Sequence, residues 1–148
     1  MGHSSGMTWQ NPDDATLRAI FERTKTIALV GASPKPQRAS HGVMRYLLSA
    51  GYEVIPIRPG GGEVLGLPCV ASLSDLDEVP DLVDVFRASE HVGPIVDEAI
   101  ALGVPVIWLQ DGVVDEEAGA RATAAGVMVV MDDCTLRAHR RLVQGNAR

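Results

Sequence analysis

Between the apolar run Thr26–Val30 and a helical pattern that starts near Ser40 lies Gly31-Ala32-Ser33-Pro34-Lys35-Pro36-Gln37-Arg38, whose residue types suit the capture of an anion. Gly31 lets backbone approach a ligand with no side chain in between, and the helix that follows would aim free N–H groups and a partial positive charge at the same point. Lys35 and Arg38 add two cations able to make charge-assisted hydrogen bonds. The chemistry such a loop could do is the holding of an anion; the alternative is a solvated turn whose cations only aid solubility.

Other reactive side chains do not assemble into a catalytic set. Cys134 precedes a helical stretch, where a thiol can acidify, but a cysteine behind an apolar strand is expected as a small packed residue. His139 cannot serve it as a base, because five residues along a helix is about 140° around the axis. His41 and His91 each fall at a predicted helix start beside the ligand-facing loops. His41 could reach a phosphate, and it is expected as a solvated first-turn histidine. Asp111, Asp132 and Asp133 have no histidine spaced to join them around a metal, and Asp132 or Asp133 is expected to cap the last helix. Trp108 and Phe86 near strand ends could stack on a base, although Trp108 is expected in the core. No catalytic residue and no metal are expected.

The elements that must position these residues show in a pattern repeated three times: a helical stretch, a glycine, then an apolar run. It occurs as LLSAGYEVIPI from Leu47, AIALGVPVIWL from Ala99 and ATAAGVMVVMD from Ala122. Gly51, Gly103 and Gly126 suit the left-handed residue past a helix end, and the following run suits a buried strand. TIALV before Gly31 and LVDVF ending at Phe86 supply two more strands. A first helix is predicted from about Pro12 to Thr24, and Pro59 to Pro80, with a small CVASL segment, is the one long irregular connection. Strands without polar alternation are covered on both faces, so the expected fold is α/β, three layers around a doubly wound, parallel, five-stranded, Rossmann-like sheet, strand order 3-2-1-4-5.

Composition narrows the partners. The 148 residues are 46% hydrophobic and 22% charged, which suits one globular domain, expected over residues 7–148. Met1 to Gly6 reads as an artificial leader ahead of Met7. Thirteen basic against 19 acidic side chains give a formal charge of −6, which disfavours nucleic acid. No run of about 18 apolar residues offers a membrane span. Two cysteines, Cys69 and Cys134, far apart and without a CxxC pair, fit a reducing cytoplasm.

In such a sheet the ligand sits at the carboxyl ends of the strands. Arg58-Pro59-Gly60 follows the second strand, Arg87-Ala88-Ser89-Glu90 the third, Gln110-Asp111-Gly112 the fourth and Asp132-Asp133-Cys134 the fifth. The first loop has one glycine where a dinucleotide binder has GxGxxG. Arg58 stands where a nicotinamide enzyme usually has an acid for the ribose, and it favours a phosphate on the ribose. Coenzyme A and NADP both carry one.

IALVGASPKPQRASHGVMRYLLSAGYEVIPIRP, EVLGLPCVASLSDL and VDVFRASEHVGPIVDEAIALGVPVIWLQDGVVDEEAGARATAAGVMVVMDDC, with a final RRL, closely resemble the small stand-alone CoA-binding proteins. These are similar to the amino-terminal domain of the succinyl-CoA synthetase α subunit. The resemblance implies that Gly31, Ala32, Ser33, Lys35 and Arg38 hold CoA phosphates, that Pro59, Phe86 and Arg87 line the nucleotide, and that Gln110 to Gly112 close the site. Arg58 replaces the asparagine common before that proline, and Leu136 and Ala138 stand where relatives tend to have lysine and glutamate. The catalytic histidine of the synthetases belongs to another domain. The expected function is therefore binding of coenzyme A or an acyl-CoA without intrinsic catalysis, with homodimerisation and docking on an acyl-CoA synthetase both left open by the sequence. An accessory subunit of such a synthetase and an NADP-dependent oxidoreductase are the alternatives.

Overall fold

The computed structural model describes residues 9–143; the expected leader Met1 to Gly6 lies outside them. Helix α1 (Asp14–Arg23) starts at the N-cap Asp13, whose side chain accepts the Thr16 N–H, and buries Leu17, Ile20 and Phe21 along one stripe. Strand β1 (Thr26–Val30) follows, then α2 (Ala39–Ser49), which buries Val43, Met44 and Leu47, and β2 (Glu53–Ile57). Two-residue strands β3 (Glu63–Val64) and β4 (Leu67–Pro68) pair antiparallel inside the irregular connection. Strand β5 (Leu82–Val85), helix α3 (Val92–Leu102), β6 (Val106–Leu109), α4 (Glu116–Ala124), β7 (Met128–Val130) and α5 (Thr135–Leu142) complete the chain.

The five longer strands form one parallel sheet in the order β2-β1-β5-β6-β7. Outside β2, Val70 of the CVASL segment makes a single parallel bridge to Ile57. With that bridge as a vestigial third strand, the order reads 3-2-1-4-5 and continues to β7. LVDVF, taken from the sequence as the third strand, is the fourth position and pairs with β1. The connection from β2 is long enough to cross to the far side of β1 after touching the outer edge, and the direction of winding reverses between β1 and β5.

Register sorts the side chains into two cores. Ala28, Val83, Ile107 and Val129 are aligned across the sheet and pack with Val96, Ala99, Ala118 and Ala122 of α3 and α4. Leu29, Asp84, Trp108 and Val130 are aligned on the other face, which α1, α2 and α5 cover with Leu17, Phe21, Met44, Leu47 and Leu142. Trp108 is fully buried there, as expected, and its indole N–H donates to the Asp133 carbonyl at 2.9 Å, which ties the loop after β7 to the core. One of these core positions is a carboxylate.

Candidate functional site

The ends of β1, β2 and β5 surround a cleft of about 460 Å³ at the reversal point of the sheet. Gly31, Ala32, Ser33, Lys35, Arg38, Arg58, Phe86 and Arg87, all expected at the site, line it together with Pro34 and Ser40. The amides of Gly31 and Ala32 both donate to the Ile57 carbonyl, at 3.2 and 3.3 Å, and the Phe86 amide donates to Val30 at 2.8 Å. These bonds bind three strand ends into one rim. Gly31 takes φ +90°, and its missing side chain makes room for the Phe86 carbonyl, so chain packing already requires glycine here.

The loop beyond Gly31 is a pair of turns. Ser33 Oγ accepts the Lys35 amide at 3.1 Å, Arg38 N–H donates to the Lys35 carbonyl, and Arg38 becomes the N-cap of α2 without a side-chain capping bond. The first turn of α2 thus faces the cleft with its N–H charge uncompensated by a capping side chain. Arg58 is fixed by a different device. Its Nη1 donates to the Gly61 carbonyl at 2.9 Å, across a turn closed by the Gly61 amide on the Arg58 carbonyl.

The ion pairs of the described residues involve Arg121, Arg137 and Arg141, so Lys35, Arg38, Arg58 and Arg87 converge on the cleft without a carboxylate partner among them. Four cations so placed make the cleft locally positive within a chain of net charge −6.

Three expected residues lie outside the lining. Pro59 is exposed on the turn after Arg58. Gly112 belongs to a neighbouring junction, where its N–H donates to Asp132 Oδ1 at 2.7 Å. Gln110 is buried, and its amide turns inward: Nε2 donates to Asp84 Oδ1 and to Thr135 Oγ1, while the Thr135 hydroxyl donates to Asp84 Oδ2 at 2.9 Å. Burial drives the Asp84 carboxyl up to about 7, against the opposing pull of the hydrogen bonds from Gln110 and Thr135. This triad joins β5, β6 and the start of α5 beside the cleft. Sequence reasoning missed Asp84 and Thr135; the signal was an acid inside the apolar run LVDV, one that needs partners if the strand is covered on both faces.

Two further expectations are corrected. The N-cap of α5 is Cys134, with no side-chain capping bond; neither Asp132 nor Asp133 holds that role. Asp132 adopts φ +58° and accepts from Gly112, and Asp133 accepts the Cys134 amide, because the left-handed turn at Asp132 delays the helix by a residue. His41 is not a solvated first-turn residue: it is buried, at 5% exposure. His91 is exposed at the N-cap of α3, and His139 is buried with its Nδ1 2.7 Å from the Tyr46 hydroxyl. Asp111 forms a two-bond pair with Arg137, which also reaches Asp133, and the Arg137 hydrogen bonds hold the Asp111 carboxyl below its usual range. Among the described residues no group of three His, Cys, Asp or Glu side chains is placed to hold a metal, and no helix is long and apolar enough to cross a membrane.

Fold and cleft together define a Rossmann-like α/β domain with a cationic pocket at the point where the sheet reverses. The chain belongs to the CoA binding domain family, whose model matches residues 25–140. It is 42% identical over 130 residues to the uncharacterised protein YneT of Bacillus subtilis, across 88% of this chain and 96% of that one. The structure of a hypothetical protein from Pyrococcus horikoshii is similar at 40% identity with a TM-score of 0.86, over 93% of this chain and 99% of the other. The α subunit of an ADP-forming acetate–CoA ligase from Pyrococcus furiosus is 30% identical over 98 residues, 62% of this chain but 21% of that subunit. The family is thus shared with stand-alone proteins of similar length and with one segment of much larger ligases.

Proposed function

We propose that the protein binds coenzyme A or an acyl-CoA in the cleft and performs no chemistry by itself. The observation that carries this reading is the convergence of Lys35, Arg38, Arg58 and Arg87 on the uncapped start of α2, with no carboxylate among the described residues paired to any of them. Three phosphoryl groups on one ligand match that donor set better than one. Lys35, Arg38 and the α2 N-terminus hold the diphosphate, Arg58 takes the phosphate on the ribose, and Phe86 and Arg87 border the nucleoside. Family membership and the likeness to a ligase subunit support CoA as the ligand and an acyl-CoA synthetase as a docking partner. Cys69 and Cys134 are free thiols, which suits a cytoplasmic site of action.

The test is thermal unfolding alone and with equal excesses of CoA, dephospho-CoA, NADP and NAD. A ligand at about 100 times its Kd adds about 2.7 kcal/mol, which raises the midpoint of a domain of this size by roughly 5–10 °C. The expected pattern is a full shift with CoA, a smaller one with dephospho-CoA and none with NAD. A shift with NADP alone would replace this reading with a reductase, for which Arg58 could hold the 2′-phosphate.

A further inference from the structure

The first turn of α2 contains a second group that the cations leave unexplained. His41 is the third residue of the helix, 5% exposed, and its Nδ1 is buried without a hydrogen-bond partner among the described residues. Five other buried polar side chains are satisfied: Asp84, Gln110 and Thr135 serve one another, His139 Nδ1 meets the Tyr46 hydroxyl, and Thr24 donates to the Ile20 carbonyl. A buried polar atom left unpaired is destabilising, so leucine would suit this position better if packing were its only task. His41 follows Ser40, which lines the cleft, and stands three residues after Arg38, the N-cap whose side chain makes no capping bond. The unsatisfied nitrogen and the unsatisfied helix start therefore share one helical turn at the edge of the cationic cleft.

We propose that His41 is a binding residue of this cleft, and that a diphosphate ester settling on the α2 N-terminus reorders the 33–38 loop so that His41 Nδ1 gains its missing partner. The proposal rests on the CoA reading for the identity of the ester, while its geometry asks only for a diphosphate.

The experiment compares wild type, His41→Leu and His41→Asn in two readouts, midpoint of thermal unfolding without ligand and Kd for CoA by calorimetry. Leucine removes the orphan nitrogen, so the free protein should be at least as stable as wild type while Kd rises about tenfold. Asparagine carries a polar atom close to the Nδ1 position and should keep Kd within about threefold. A free protein destabilised by leucine with unchanged Kd would show a packing role and overturn the proposal, as would asparagine binding as weakly as leucine. A second measurement needs no variant: long-range ¹H–¹⁵N spectra of the wild-type imidazoles during titration with CoA and, separately, with inorganic pyrophosphate. The His41 Nδ1 resonance should move with both. If CoA fails to bind but pyrophosphate moves that resonance, the CoA reading falls and His41 stands; if the resonance is still at saturation with a ligand that binds, the His41 proposal falls alone. If neither probe binds, both fall.

Discussion

A Cβ built on Gly31 would stand 2.6 Å from the carbonyl oxygen of Phe86, at the point where the ends of β1 and β5 meet. The neighbour is backbone held in the sheet by the Phe86 N–H bond to Val30, so it cannot swing aside as a flexible side chain could. Gly31→Ala also forces φ +90° on a residue that resists it. The expected loss of stability is about 2–4 kcal/mol, read as a fall in the urea midpoint with little change in the m-value. A variant within about 0.5 kcal/mol of wild type would mean that β1 and β5 separate easily at this edge.

Most of this edge was legible because its signals are local. Glycines that end helices at Gly51, Gly103 and Gly126, each at positive φ, marked the entry to three strands, and the single-glycine loop with Lys35 and Arg38 marked the cleft. What stayed hidden depends on pairing across distance. Val70 bridges Ile57 with one residue, too little for any strand periodicity, and so the place of LVDVF in the sheet could not be seen. Gln110 looked like a loop residue facing ligand, and only the register that sets β5 beside β6 brings its amide onto Asp84, 26 positions earlier. His41 reads as solvated from its place in a first turn, whereas packing around α2 buries it.

Arg58 is expected to discriminate the phosphate on the ribose. Its guanidinium is held by the Gly61 carbonyl and half-buried beside the cleft, so little side-chain freedom is lost when a phosphate arrives. Arg58→Ala should weaken CoA by about tenfold, on the order of 1.4 kcal/mol, and leave dephospho-CoA nearly unchanged. Calorimetric titration with both ligands checks this. Equal losses for the two would assign Arg58 to the diphosphate instead.

His139 should make the fold less stable in mild acid. Burial among Phe21, Tyr46 and Tyr52 lowers its pKa below the usual 6.5, so the unfolded chain takes up a proton that the folded one refuses. The resulting stability is complete above about pH 6.5 and declines as pH falls toward the lowered value. Urea midpoints of wild type and His139→Gln at several pH values from 7.5 to 5 test this contribution; the substitution should cost stability at pH 7.5 and narrow the gap to wild type at pH 5. A gap that stays constant would show that His139 titrates alike in both states.

Asp84 works in the opposite direction. Its carboxyl is raised from 3.8 to about 7, with desolvation in the sheet as the leading cause. Between those values the folded protein keeps a proton that the unfolded chain has released, so the contribution of Asp84 to stability is greatest below about pH 4 and is lost as pH rises through about 7. Each pKa unit corresponds to about 1.4 kcal/mol, which makes the loss on the order of 4 kcal/mol from this group alone. Asp84→Asn keeps the shape and an acceptor for Gln110 but cannot ionise. Its urea midpoint should lack the downward slope from pH 5 to 8 that Asp84 imposes, leaving the upward slope of His139 exposed, and at pH 8 it should equal or exceed wild type. If the variant is instead weaker than wild type by the same margin at every pH, the triad is held by the geometry of its hydrogen bonds, and the Asp84 charge makes no difference to the fold.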